Sequence, residues 1–108
     1  MTPLAALLTR ARDRIADPAR WCQAVEATDE TGMRCDATSP NAASWCAVGA
    51  LNVSSGHRNA TFYAARKALR DSARQLTDYI DVDDVNDTLG HAAVMRVYDA
   101  AIARANET

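Results

Sequence analysis

The chain has 108 residues, 48% of them apolar and 24% charged, with a formal charge of −2, enough for one compact core and too few for two. Nothing in that balance supplies a positive field for nucleic acid or anionic lipid. No segment approaches the run of about 20 apolar residues that crosses a bilayer, so no membrane partner is expected.

Thr2-Pro3 supplies a helix N-cap followed by the proline favoured at the first helical position. Leu4, Leu7, Leu8, Ala11 and Ile15 then recur at helical spacing. No basic stretch precedes these leucines, so the start does not read as an export signal. Three cysteines, an odd number at irregular spacing, are then expected as reduced thiols in a cytoplasm. Asp17-Pro18 ends the first helix, because the residue before proline avoids the α region. From about residue 23 to residue 39 no helical stripe exists. Val25, Ala27, Met33 and Cys35 alternate weakly about Asp29-Glu30-Thr31-Gly32, which has turn chemistry, and a short hairpin is predicted.

Ser39-Pro40 repeats the cap-and-proline signal and predicts a second helix carrying SWCAVGAL, Ser44 to Leu51. That helix is apolar almost all round and therefore buried on most sides, with Gly56 available as a left-handed C-cap. Asn59 caps the third helix, whose stripe is Phe62, Ala65, Leu69, Ala73, Leu76 and Ile80. The acidic stretch DVDDVND, Asp81 to Asp87, reads as a connector. Val94, Val97, Tyr98, Ala101, Ile102 and Ala105 mark the fourth helix. The expected fold is mainly α: one domain over residues 1–108, four helices, a hairpin insertion at about 23–39, and the WCAVGAL helix at the centre.

Candidate chemistry centres on Cys46. A nucleophilic cysteine needs a depressed pKa, from a histidine partner or a helix N-terminus. A helix starting near Pro40 would leave Cys46 in its second turn, beyond most of the dipole's benefit. His91 is then the natural base, with Asn86 or Asp87 orienting it as in thiol hydrolases. The competing reading makes Cys46 a small buried hydrophobe and Gly49 the contact that admits a neighbouring helix. Asn86 and Asp87, just ahead of the last helix, also suit N-capping, and Asn86 could equally fasten the connector to the second helix. No C-x-x-C or H-x-x-x-H pair occurs, and the acidic connector lacks the ligands of a calcium loop, so neither a metal nor a cofactor is expected. Arg66, Arg70 and Arg74 make a basic edge on the third helix, laced by Lys67–Asp71 and Arg74–Asp78 spacings.

The segments ARWCQAV, DETGM, SPNAASWCAVGAL and VNDTLGHAAVMRVYDAAI together resemble a small family of unknown function found in actinobacteria and their phages. Arginine in eleven of the twelve basic side chains and abundant alanine also suit a GC-rich bacterial or phage source. The resemblance marks Trp21, Gly32, Trp45, Cys46, Gly49, Leu51, Asn86, Asp87 and His91, and covers most of the chain except the third helix. Gly90 and Ala93 stand where the family pattern implies threonine and glutamate, so a capping box is lost here. The resemblance implies no activity.

Three function classes follow. The leading one is a non-catalytic accessory or interaction module whose partner is a protein, including a second copy of itself, met through the hairpin or the third helix. The second is a cysteine-dependent hydrolase or transferase using Cys46, His91 and Asn86 or Asp87. The third is a small-ligand binder with a pocket rimmed by Trp21, Trp45, Asn86, Asp87 and His91.

Overall fold

The structure, a computed structural model, describes residues 1–107. Helix α1 (Pro3–Arg14) starts where expected, with the Thr2 hydroxyl accepting the Ala5 N–H at 3.1 Å. It buries Leu7, Leu8 and Ala11, and Ile15 just beyond its end. Asp17 caps a single 3-10 turn (Pro18–Arg20). Three short strands follow: β1 (Ala27–Asp29), β2 (Arg34–Cys35) and β3 (Ala42–Trp45). They form one antiparallel sheet in the order β2-β1-β3. The hairpin predicted about Gly32 is the β1–β2 pair. Asp29 Oδ1 accepts from the Thr31 and Met33 N–H groups, and Gly32 takes a φ of 85°, which favours glycine.

The hairpin is thus part of a larger sheet, and its third strand corrects the expected helix start. Ala42–Trp45 is extended, pairing Ser44 with Thr28 and Trp45 with Ala27. The Ser39-Pro40 signal therefore begins no helix. Helix α2 (Ala47–Ser55) opens only after Cys46, which is its N-cap. Gly56 ends α2 in the left-handed region, as expected.

Helix α3 (Ala60–Leu76) is capped by Asn59, whose side chain accepts the Phe62 N–H. Its stripe is buried through Phe62, Ala65, Leu69 and Ala73, but Leu76 and Ile80 are exposed. The acidic segment, read as a connector, is instead helix α4 (Val82–Thr88). Val82 and Val85 are its buried anchors. Asp81 accepts the Val82 N–H and ion-pairs with Arg66 at 3.0 Å, which ties the stretch down. Helix α5 (His91–Asn106) buries Val94, Val97, Tyr98, Ala101 and Ala105. Five α-helices replace the four expected, and the fold stays mainly α.

Helix α1 lies against α2, α3 and α5; α3 crosses α5; α4 touches α2, α3 and α5. Helix α2 is thus covered by α1, α3 and α4, as its apolar sequence requires. The sheet joins the helices through β3, which runs straight into α2, and the 3-10 turn lies beside β3. No described helix is long and apolar enough to cross a membrane.

Candidate functional site

Trp21, Trp45, Cys46 and Asn86 meet where β3 becomes α2. Leaving the 3-10 turn, the chain runs beside β3 in parallel, Trp21 opposite Trp45, with the Cys22 N–H on the Trp45 carbonyl at 3.1 Å. It then bends through Ala24, whose φ of 71° lies in the left-handed region, a conformation that costs a residue with a Cβ roughly 1–2 kcal/mol. Such strain persists only where neighbours hold it. Here the holders are Asn86 and Asp87.

Asn86, on α4, is 1% exposed. Its Oδ1 accepts the Trp21 indole N–H at 2.7 Å and the Ala47 backbone N–H at 2.9 Å. Its Nδ2 donates to the Cys22 carbonyl at 3.1 Å and to Asp87 Oδ1 at 3.0 Å. Two accepted and two donated bonds exhaust a carboxamide. Asp87 Oδ1 also accepts the Ala24 N–H at 2.8 Å, and Gln23 donates to the Asn86 carbonyl at 3.1 Å. The pair thus pins residues 21–24 against the start of α2.

That arrangement corrects part of the capping expectation. Asn86 does not cap the last helix; it fastens α4 to the second helix, where it accepts the first N–H of α2, and to the Cys22 carbonyl. Asp87 lies late in α4. Helix α5 begins at Gly90 with no side-chain cap.

Cys46 occupies the N-cap of α2, and its sulfur accepts the Gly49 N–H at 3.3 Å. A helix N-cap is where a thiolate would be favoured. Burial outweighs that help and pushes the Cys46 thiol up to about 11. His91 is used elsewhere: its Nε2 is 2.7 Å from the Ile15 carbonyl, and its ring meets the Trp21 ring edge-on at 5.5 Å between centroids. No hydrogen bond joins Cys46 to His91, so the structure does not assemble the nucleophile and base.

Trp45 is buried, with its indole N–H on the Ala37 carbonyl at 2.9 Å and the Arg14 guanidinium 5.0 Å above its ring. Neither tryptophan nor His91 lines the cavity beside this junction. That cavity, about 390 Å³, is walled by the Ala24–Glu26 bend, by Cys46, Val48 and Asn52 of the α2 segment, and by Asn86 and Asp87. Arg58 and Asp83 complete its rim, and a second hollow of about 250 Å³ shares Glu26, Asn52 and Arg58 with it. Glu26, Asn52 and Arg58 carry no signal in the sequence: one sits in an irregular stretch, one in a helix interior, one in a loop.

Gly49 also differs in its neighbour. A Cβ there would fall well inside 3.0 Å of the Glu26 carbonyl oxygen. The glycine admits the backbone of the bend, where another helix was expected. The same carbonyl accepts the Cys46 N–H at 3.1 Å. The basic edge of α3 is largely spoken for: Arg66 pairs with Asp81 and Asp83, Arg70 approaches Asp81 at 3.8 Å, and Arg74 donates to the Ile80 carbonyl. Lys67 pairs with Asp71 at 2.7 Å. No group of metal-binding side chains is found among the described residues.

Residues 1–104 match the model of one protein family, described as a family of unknown function (DUF6197). No curated protein and no solved structure gives a significant match.

Proposed function

We propose that the chain, which belongs to that family of unknown function, serves as a non-catalytic interaction module, in which the Trp, Cys and Asn-Asp motif residues build the fold and perform no chemistry. The observation that carries this reading is the full use of Asn86, whose side chain spends all four of its hydrogen bonds on Trp21, Cys22, Ala47 and Asp87. A catalytic amide needs a free donor or acceptor for an imidazole or a substrate, and Asn86 has none. The raised Cys46 thiol and the commitment of His91 to Ile15 support the same reading. The partner is a protein, a second copy of this chain included, and the hairpin side suits it better than the ion-paired edge of α3. There β2 is an edge strand, and Met33 in the adjoining turn is 67% exposed. Three free cysteines fit a reducing cytoplasm.

The test is alkylation of Cys46 by iodoacetamide across pH, in a variant with Cys22 and Cys35 both replaced by serine. The expected rate is slow at neutral pH and still climbing above pH about 9, following the raised thiol. A thiolate plateau with an apparent pKa below the free-thiol value of about 8.5 overturns the reading in favour of a cysteine enzyme.

A further inference from the structure

The cavity under the Ala24–Glu26 bend holds a positive and a negative group that neutralise nothing in the protein. The Glu26 carboxylate accepts a hydrogen bond from the Asn52 side-chain amide and has no ion-pair partner among the described residues. The Arg58 guanidinium lies 5.8 Å over the Phe62 ring and has none either. Both line both hollows, and Asn52 lies with them. On the far rim Asp83 is paired with Arg66, and Asp87 is held by the Ala24 N–H. The larger hollow also exposes the half-buried aliphatic side chains of Val25 and Val48. At about 390 Å³ it falls near the lower end of small-molecule sites, roughly 300–1,000 Å³.

Each simple ligand class leaves one of these groups unsatisfied. An anion would answer Arg58 but meet Glu26, Asp83 and Asp87; a cation would answer Glu26 but leave Arg58. A metal ion finds no cluster of ligating side chains among the described residues. A zwitterion answers both charges. We infer that this hollow binds a small aliphatic amino acid, its ammonium on Glu26, its carboxylate on Arg58, and its side chain against Val25 and Val48. The guanidinium fork matches a carboxylate, and the Asn52 amide fixes the Glu26 carboxylate on the other side. This inference does not depend on the non-catalytic reading, which rests on Asn86, Cys46 and His91.

The test is titration of the ¹⁵N-labelled full chain with L-leucine, followed by amide chemical shifts. Saturable shifts are expected at Val48, Asn52 and Arg58 in the millimolar range. Leucinamide, which lacks the carboxylate, and 4-methylpentanoate, which lacks the ammonium, are each expected to bind about tenfold more weakly or worse, the size of one lost charged hydrogen bond. Arg58→Gln and Glu26→Gln should each weaken leucine by a similar factor while leaving the rest of the spectrum in place. Absence of saturation by leucine overturns the inference. Leucinamide or 4-methylpentanoate binding as tightly as leucine also overturns it, since one charge alone would then suffice. So does unchanged leucine affinity in the Arg58→Gln variant.

Discussion

At Gly49 the missing side chain is filled by the backbone of another segment. The Glu26 carbonyl sits where a Cβ would project, and it also receives the Cys46 N–H. Gly49→Ala should therefore lose stability in spite of the better helix former. Propensity returns about 1 kcal/mol at most, whereas displacing a packed, hydrogen-bonded backbone costs about 1–3 kcal/mol and disturbs the bond to Cys46. Urea unfolding should place the variant up to about 2 kcal/mol below the wild type, and a midpoint at or above the wild type would show the bend to be free to move. That Gly49 is a close-approach residue was legible from an apolar helix with one glycine. Its neighbour was not, because nothing in the sequence of Glu26 announces where its carbonyl points. Cys46 shows a similar limit. Its helix position changed from the second turn to the N-cap, which favours a thiolate, yet burial wins, and the sulfur ends as a weak acceptor for Gly49.

Two elements escaped the sequence for different reasons. Strand β3, AASW, has little intrinsic preference for extended structure, and Ser39-Pro40 imitates a helix start. What extends it is pairing with β1 on one side and with the Trp21 segment on the other. Tertiary contacts override local preference there. Helix α4 has only Val82 and Val85 as buried anchors, too few for a periodic signal. Its four aspartates are tolerated because one caps the helix and two meet Arg66, while Asp83 and Asp84 lie in the first turn, where negative charge suits the helix dipole. The helices that were legible, α1, α3 and α5, carry longer stripes, and α1 and α3 also have clear N-caps. Asp81 is the element's fastening point, so Asp81→Ala removes a cap and the partner of Arg66 together. Thermal melting should show a loss of about 1–2 kcal/mol. Asp84→Ala, which has no partner given to it by the fold, should stay within about 0.5 kcal/mol. Equal effects of the two would mean that the Asp81 cap and its ion pair do not fasten α4.

Across the whole molecule, one side chain ties together the parts that are far apart in sequence. Asn86 on α4 reaches the segment after the 3-10 turn and the first turn of α2, while Tyr98 on α5 donates to the Ala47 carbonyl at 2.6 Å from the other side. The junction of sheet and helices is thus built around the N-terminus of α2. The importance of the Asn-Asp pair was legible from its place before a helix. Its use was legible in part: fastening to the second helix was an expected alternative to capping, but that it serves that helix's very start, 39 residues away, was not. The cavity residues Glu26, Asn52 and Arg58 come from three segments that only this junction brings together. If the Asn-Asp pair is the fastening proposed above and takes no part in a reaction, denaturant unfolding of Asn86→Ala is the measurement that decides it. Removing the carboxamide strands the Trp21 indole N–H and the Ala47 N–H without acceptors, and each buried unpaired group costs about 1–3 kcal/mol. The expected result for the two groups together is a loss of about 2–6 kcal/mol. A variant as stable as the wild type, or more stable, as is common when a strained catalytic residue is replaced, would contradict the account.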